Sequence, residues 1–139
     1  KKAFDEFVKI EKETNGYHWA QDLLGDCYSY LDDTVQNDAT QAVKWYTKSS
    51  EQGNSCAMND LGCYYNSGRG VDEDLTKAFV FFEQSAHLGY RSGMYNLGNH
   101  YSYGKGVTKD VNKAKAWYAK AVTQGHTGAQ AKLDALSAA

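Results

Sequence analysis

LGCYYNSGRGVDEDLTKAFVFFEQSAHLG, residues Leu61 to Gly89, decides the fold, because the chain writes it again as LGNHYSYGKGVTKDVNKAKAWYAKAVTQG from Leu97 to Gly125. Gly62 and Gly98, Tyr65 and Tyr101, Gly68 and Gly104, Gly70 and Gly106, Asp74 and Asp110, and Ala78 and Ala114 each stand 36 residues apart. A period between roughly 20 and 50 residues marks a solenoid, in which each unit carries an apolar face that only a stacked neighbour covers. The array as a whole is therefore the folding unit.

Within one unit, Ala57, Met58, Leu61, Gly62 and Tyr65 share one side of a helix at about 100° per residue. Ala78, Phe81, Phe82, Ser85 and Ala86 share one side of a second. Each unit is thus expected to be a helical hairpin. Between the two helices, Gly68 suits the left-handed residue that ends a helix and Asp74 suits the N-cap of the next, while Gly89 closes the second helix. Gly25, Gly62 and Gly98 occupy a column where the absence of a side chain lets the two helices of a hairpin approach closely.

Three features together resemble the Sel1-like repeat family, a relative of the tetratricopeptide repeats: Leu61-Gly62 followed by Tyr65, the Gly-x-Gly-Val loop, and the Ala-x-x-aromatic-aromatic run at Ala78, Phe81 and Phe82. Trp45-Tyr46 and Trp117-Tyr118 fill the aromatic columns of the flanking units, so the resemblance covers about four fifths of the chain. It implies an all-α fold, a right-handed α-solenoid of antiparallel helical hairpins. It also implies that the first helices line a concave surface used to bind a protein or peptide.

On this reading residues 1–139 form one repeat domain. A capping helix occupies 1–16, with Phe4, Phe7 and Val8 at helical spacing. Repeat one follows at 17–53, repeat two at 54–89, repeat three at 90–125, and a C-terminal capping half repeat at 126–139. Repeat one is the degenerate member. Its connection, Leu31 to Asn37, lacks the Gly-x-Gly-Val signature and is one residue longer, since Gly25 to Ala42 spans 17 where Gly62 to Ala78 spans 16. Gly16 lies 37 before Gly53, so the N-terminal segment also reads as the second helix of a repeat from a longer array. In the last unit Asp134 stands in the glycine column, where no partner helix is expected.

At 139 residues, 42% hydrophobic and 14% aromatic, the chain has the means to bury a core. A formal net charge of −2 makes no case for nucleic acid or an anionic membrane. The charge is uneven, however: 7 basic and 11 acidic side chains in residues 1–70 against 8 and 6 in 71–139. No run approaches the roughly 18 apolar residues of a membrane span. Of the three cysteines, Cys56 and Cys63 stand about 10.5 Å apart along one expected helix, too far to bridge. The chain thereby departs from the disulfide-stapled, cysteine-rich branch of the family it resembles.

Catalytic and metal-binding patterns are missing from the sequence. His18, His87, His100 and His126 share no ligand spacing, and neither Cys-x-x-Cys nor His-Glu-x-x-His occurs, so no metal and no cofactor is expected. The loops at Gly68-Arg69-Gly70 and Gly104-Lys105-Gly106 do not continue into Gly-Lys-Ser/Thr and read as turns. The regular aromatic pairs read as packing, and His100 as a satisfied, partly buried imidazole.

The candidate binding residues lie on the side of each first helix opposite its apolar face. Repeat one supplies Trp19, Asp22, Asp26 and Tyr30; repeat two supplies Asn59, Cys63 and Asn66; repeat three supplies Tyr95, Asn99 and Tyr103. Asparagine both donates and accepts towards a peptide backbone, while Tyr and Trp give contact area at low entropy cost. The favoured function is a noncatalytic protein–protein interaction scaffold or adaptor, monomeric or weakly self-associating, with no nucleic acid and no membrane insertion. Two alternatives stand beside it. One is the hydrolase or penicillin-binding activity attributed to cysteine-rich relatives, and the other a structural, self-assembling fragment of a longer array.

Overall fold

A computed structural model describes residues 5, 6, 8, 9, 21, 24, 26 and 39–138. Most of the expected N-terminal cap, the first helix of repeat one and its connecting loop, including Trp19, Asp22, Cys27 and Tyr30, lie outside the described residues. Residues 39–138 form six helices, α1 Ala39–Glu51, α2 Ser55–Ser67, α3 Leu75–His87, α4 Arg91–Tyr103, α5 Val111–Thr123 and α6 Ala129–Ser137, and there is no strand among the described residues. None of these helices is long and apolar enough to cross a membrane.

The helix ends fall where the sequence places its caps. Asp74 and Asp110 hold extended backbone and accept from the N–H of Lys77 at 2.9 Å and of Lys113 at 3.0 Å, each satisfying a donor that the first turn leaves unpaired. Gly68 (φ 67°) and Gly104 (φ 68°) close α2 and α4 in the left-handed conformation, donating back to the Tyr64 and His100 carbonyls. Asn54 caps α2 by accepting from the N–H groups of Cys56 and Ala57, a cap that the apolar periodicity does not flag.

In the hairpins α2–α3 and α4–α5 the glycine column allows the expected close approach. A Cβ built on Gly62 would lie 2.6 Å from the Phe82 ring, and one on Gly98 2.7 Å from the Tyr118 ring, both well inside ordinary contact distance. Leu61 and Leu97 are completely buried, and Leu133 of α6 packs half-buried against the same core as Leu97. Tyr65 is only half-buried, with its ring stacked on Phe81 at 5.7 Å, and it touches the apolar clusters on both sides.

The Gly-x-Gly-Val loop joins one hairpin to the one before it. A Cβ on Gly70 would collide with the backbone of Ala39 at the start of α1, and one on Gly106 with the carbonyl of Leu75 at the start of α3. Both glycines also have positive φ, so only glycine meets the two demands together. Val71 and Val107 then pack into the adjoining cores. Each helix packs chiefly on its neighbours in sequence, and α2 also touches α4. The result is an α-solenoid of antiparallel hairpins.

Candidate functional site

Stacking at a 36-residue period sets equivalent positions of the first helices in rows. One row runs Asp60, Asn96 and Lys132, passing from acid through amide to base; its neighbour holds Cys63 and Asn99. Between α2, α4 and α6 these rows enclose an open cavity of about 200 Å³, walled by Cys63, Asn66, Asn96, Asn99 and Lys132, with Phe82 of α3 behind them. A second hollow of about 160 Å³ shares Cys63 and is bordered by Asp60 and Arg69.

Hydrogen bonds hold much of this wall in place. Asn96 Nδ2 donates to Asn59 Oδ1 at 2.8 Å, tying α4 to α2. Tyr118 donates its hydroxyl to Asn99 Oδ1 at 2.6 Å, and Tyr46 donates to Asp26 Oδ1 at the same distance. Burial raises the Tyr118 phenol to about 12, which keeps that donor protonated. The middle unit lacks this bond, because the tyrosine row reads Phe82 there and the Asx row reads Cys63. Asn66 Oδ1 is buried with no hydrogen-bond partner among the described residues.

At the basic end, Lys132 Nζ donates to the Tyr103 hydroxyl at 2.9 Å, and both Lys132 and Lys105 stand over the Tyr103 ring, at 5.4 and 5.9 Å. The ammonium of Lys132 lowers the Tyr103 phenol below its ordinary value. His100 is buried, with Nδ1 2.8 Å from the Lys105 carbonyl, so that nitrogen carries the proton and donates. Burial holds its pKa below 6.5. This is the satisfied imidazole expected from the sequence.

The Cys63 thiol is poorly suited to attack. Although Cys63 keeps an exposed surface, protein atoms crowd its sulfur, and this burial, with the nearby Asp60 charge, raises the thiol to about 11. Cys56 Sγ and the Tyr90 hydroxyl are in hydrogen-bond contact at 3.5 Å; that contact first, in which the phenol keeps its proton, then burial, raises Tyr90 to about 12. Neither cysteine forms a disulfide among the described residues. No three His, Cys, Asp or Glu side chains among these residues come together as a metal site.

Of the sequence-derived candidates, Cys63, Asn66, Asn99 and Tyr103 line one cavity. Asn59 is buried beside them and holds Asn96. Tyr95 stands apart, stacked on His126 at 4.3 Å, and Asp26 is engaged by Tyr46. Sequence reasoning missed Asn96, Lys105 and Lys132. The signal for two of them was present in the row at 60, 96 and 132, whose steps of 36 repeat the period already established.

The Sel1 repeat family model matches residues 20–54, 57–90 and 91–126. Among solved structures, a Sel1 repeat protein from Oxalobacter formigenes superposes with a TM-score of 0.81 at 36% identity, covering 93% of this chain and 95% of its own. Helicobacter pylori cysteine rich protein B superposes at 0.73 with 25% identity, covering 94% of this chain and 96% of its own. The protective antigen c5321 of uropathogenic Escherichia coli, described as displaying an SLR fold, gives a TM-score of 0.84 at 35% identity over 90% of this chain. This chain spans only 26% of c5321. The comparison with curated proteins returns no match. Sel1-repeat proteins are for the most part noncatalytic scaffolds for protein interaction, and three consecutive repeats across most of its length make this chain a member of the Sel1-repeat family.

Proposed function

We propose that this chain is a noncatalytic scaffold that binds a protein or peptide along the concave face of its first helices. The observation that supports the reading is the clustering of Cys63, Asn66, Asn99 and Tyr103, all from first helices, around one cavity. Amides held by Asn59 and Tyr118 are set in advance, which reduces the ordering cost of a peptide contact. The same reading divides the chain into repeats at 17–53, 54–89 and 90–125 between capping segments.

The test uses peptides selected from a random display library panned on the full chain. Hydrogen exchange with the selected peptides is expected to protect α2 and α4 and to leave the outer faces of α3 and α5 unchanged. Asn99→Ala and Tyr103→Ala, both at cavity-lining residues, are expected to weaken binding at least fivefold with helical circular dichroism retained. Protection confined to α3 and α5, or affinity unchanged in both variants, refutes the assignment.

A further inference from the structure

We infer that the cavity beside Phe82 receives a glutamate side chain from an acidic peptide lying along the first helices, an inference that rests on the binding face proposed above. The starting point is an irregularity in the repeat. In the flanking units a tyrosine hydroxyl from the second helix meets an Asx oxygen of the first helix at 2.6 Å, Tyr46 with Asp26 and Tyr118 with Asn99. The middle unit places Phe82 and Cys63 at these positions, 19 residues apart like Tyr118 and Asn99. Both line the cavity, which opens where that hydrogen-bonded pair is absent. Its space of about 200 Å³ far exceeds the roughly 15 Å³ that holds one water, so it has room for a side chain.

The surroundings select the chemistry of that side chain. Phe82 and the protonated Cys63 thiol offer an apolar surface to methylene groups. Lys105 and Lys132 stand at the edge, no carboxylate among the described residues lines the cavity, and Lys132 gives one of its three donors to Tyr103. Asn66 adds an acceptor that lacks a partner among the described residues, and a turn of its soft terminal torsion presents it to a peptide N–H. Two methylenes, a carboxylate and a backbone N–H are what a glutamate residue supplies. The row from Asp60 through Asn96 to Lys132 also gives the peptide a direction, with its negative end towards α6.

The experiment pans a random dodecapeptide display library on the full chain and measures the selected peptides by fluorescence anisotropy. Peptides protecting α2 and α4 are expected to be rich in glutamate, and replacing one glutamate by glutamine is expected to weaken binding at least tenfold. Lys132→Ala is expected to do the same. The paired change Cys63→Asn with Phe82→Tyr rebuilds the hydrogen bond of the neighbouring units, fills the cavity and is expected to abolish binding while melting no lower than the wild type. A pool without glutamate enrichment, an empty pool, or binding indifferent to both Lys132→Ala and the paired change overturns the inference. Neutral peptides that protect α2 and α4 would sink it while leaving the proposed binding face standing; protection confined to α3 and α5 sinks both.

Discussion

Replacing Gly98 with alanine sets two effects of opposite sign against each other at a single methyl group. In an unobstructed helix interior the change stabilises by about 1 kcal/mol, because glycine loses more backbone freedom on folding. Here the new Cβ would stand 2.7, 2.8 and 3.2 Å from three atoms of the Tyr118 ring. Carbon atoms ordinarily keep about 3.5–4.0 Å. The ring has nowhere to swing, since Tyr118 is completely buried and its hydroxyl is held by Asn99 at 2.6 Å. Overpacking costs about 1–3 kcal/mol, and an overlap this deep against a tethered ring belongs at the upper end, leaving a net loss of about 2 kcal/mol. With a urea slope of about 2 kcal/mol/M, the unfolding midpoint is expected to fall by about 1 M. In a Tyr118→Leu background, the glycine-to-alanine step is expected to cost at least about 1 kcal/mol less, because the ring edge is gone. A raised midpoint in the otherwise unaltered chain would refute the reasoning, since backbone propensity alone would then govern the site.

Two further expectations concern titration. His100 and His126 are both held below 6.5, chiefly by burial, so the unfolded chain takes up their protons more readily than the folded one. Their contribution to stability is complete above that value and is lost as pH falls through it; at His126 protonation also removes the acceptor for the Gly128 N–H, 3.1 Å away. Urea midpoints are expected to drop between about pH 7.5 and 5.5, less steeply in a His100→Gln, His126→Gln chain, and a flat wild-type profile contradicts this. In a chain carrying Cys27→Ser and Cys56→Ser, the rise of the Cys63 thiol from 9.0 to about 11 leaves roughly a hundredfold less thiolate near pH 8. Alkylation by iodoacetamide is expected to be correspondingly slower in the folded chain than in urea, and equal rates would show the sulfur to be open to water.

The repeat was legible because its marks are local or recur at one spacing. Asp74 and Asp110 cap helices through their own backbone neighbours, and Gly68 and Gly104 end them by taking a conformation costly for other residues. The binding face was legible only in outline. A helical wheel gives direction but not depth, so Asn59 and Asn66 look alike on it. In the structure Asn59 is fastened to Asn96, while Asn66 Oδ1 has no partner among the described residues. Asn96 escaped notice because its side chain is turned by contacts on α2, a neighbour that the wheel of α4 does not contain.

From the sequence alone came the helical hairpins, their 36-residue register, their caps and the glycine columns, since each depends on backbone conformation or on a spacing that survives stacking. Only the tertiary structure decided that the Gly-x-Gly-Val loop seats on the preceding hairpin, and that Phe82 and Cys63 leave an opening where their counterparts close one. Both follow from contacts between helices distant in the chain. A side chain's partner is set there by packed geometry, and no local pattern records which neighbour will arrive.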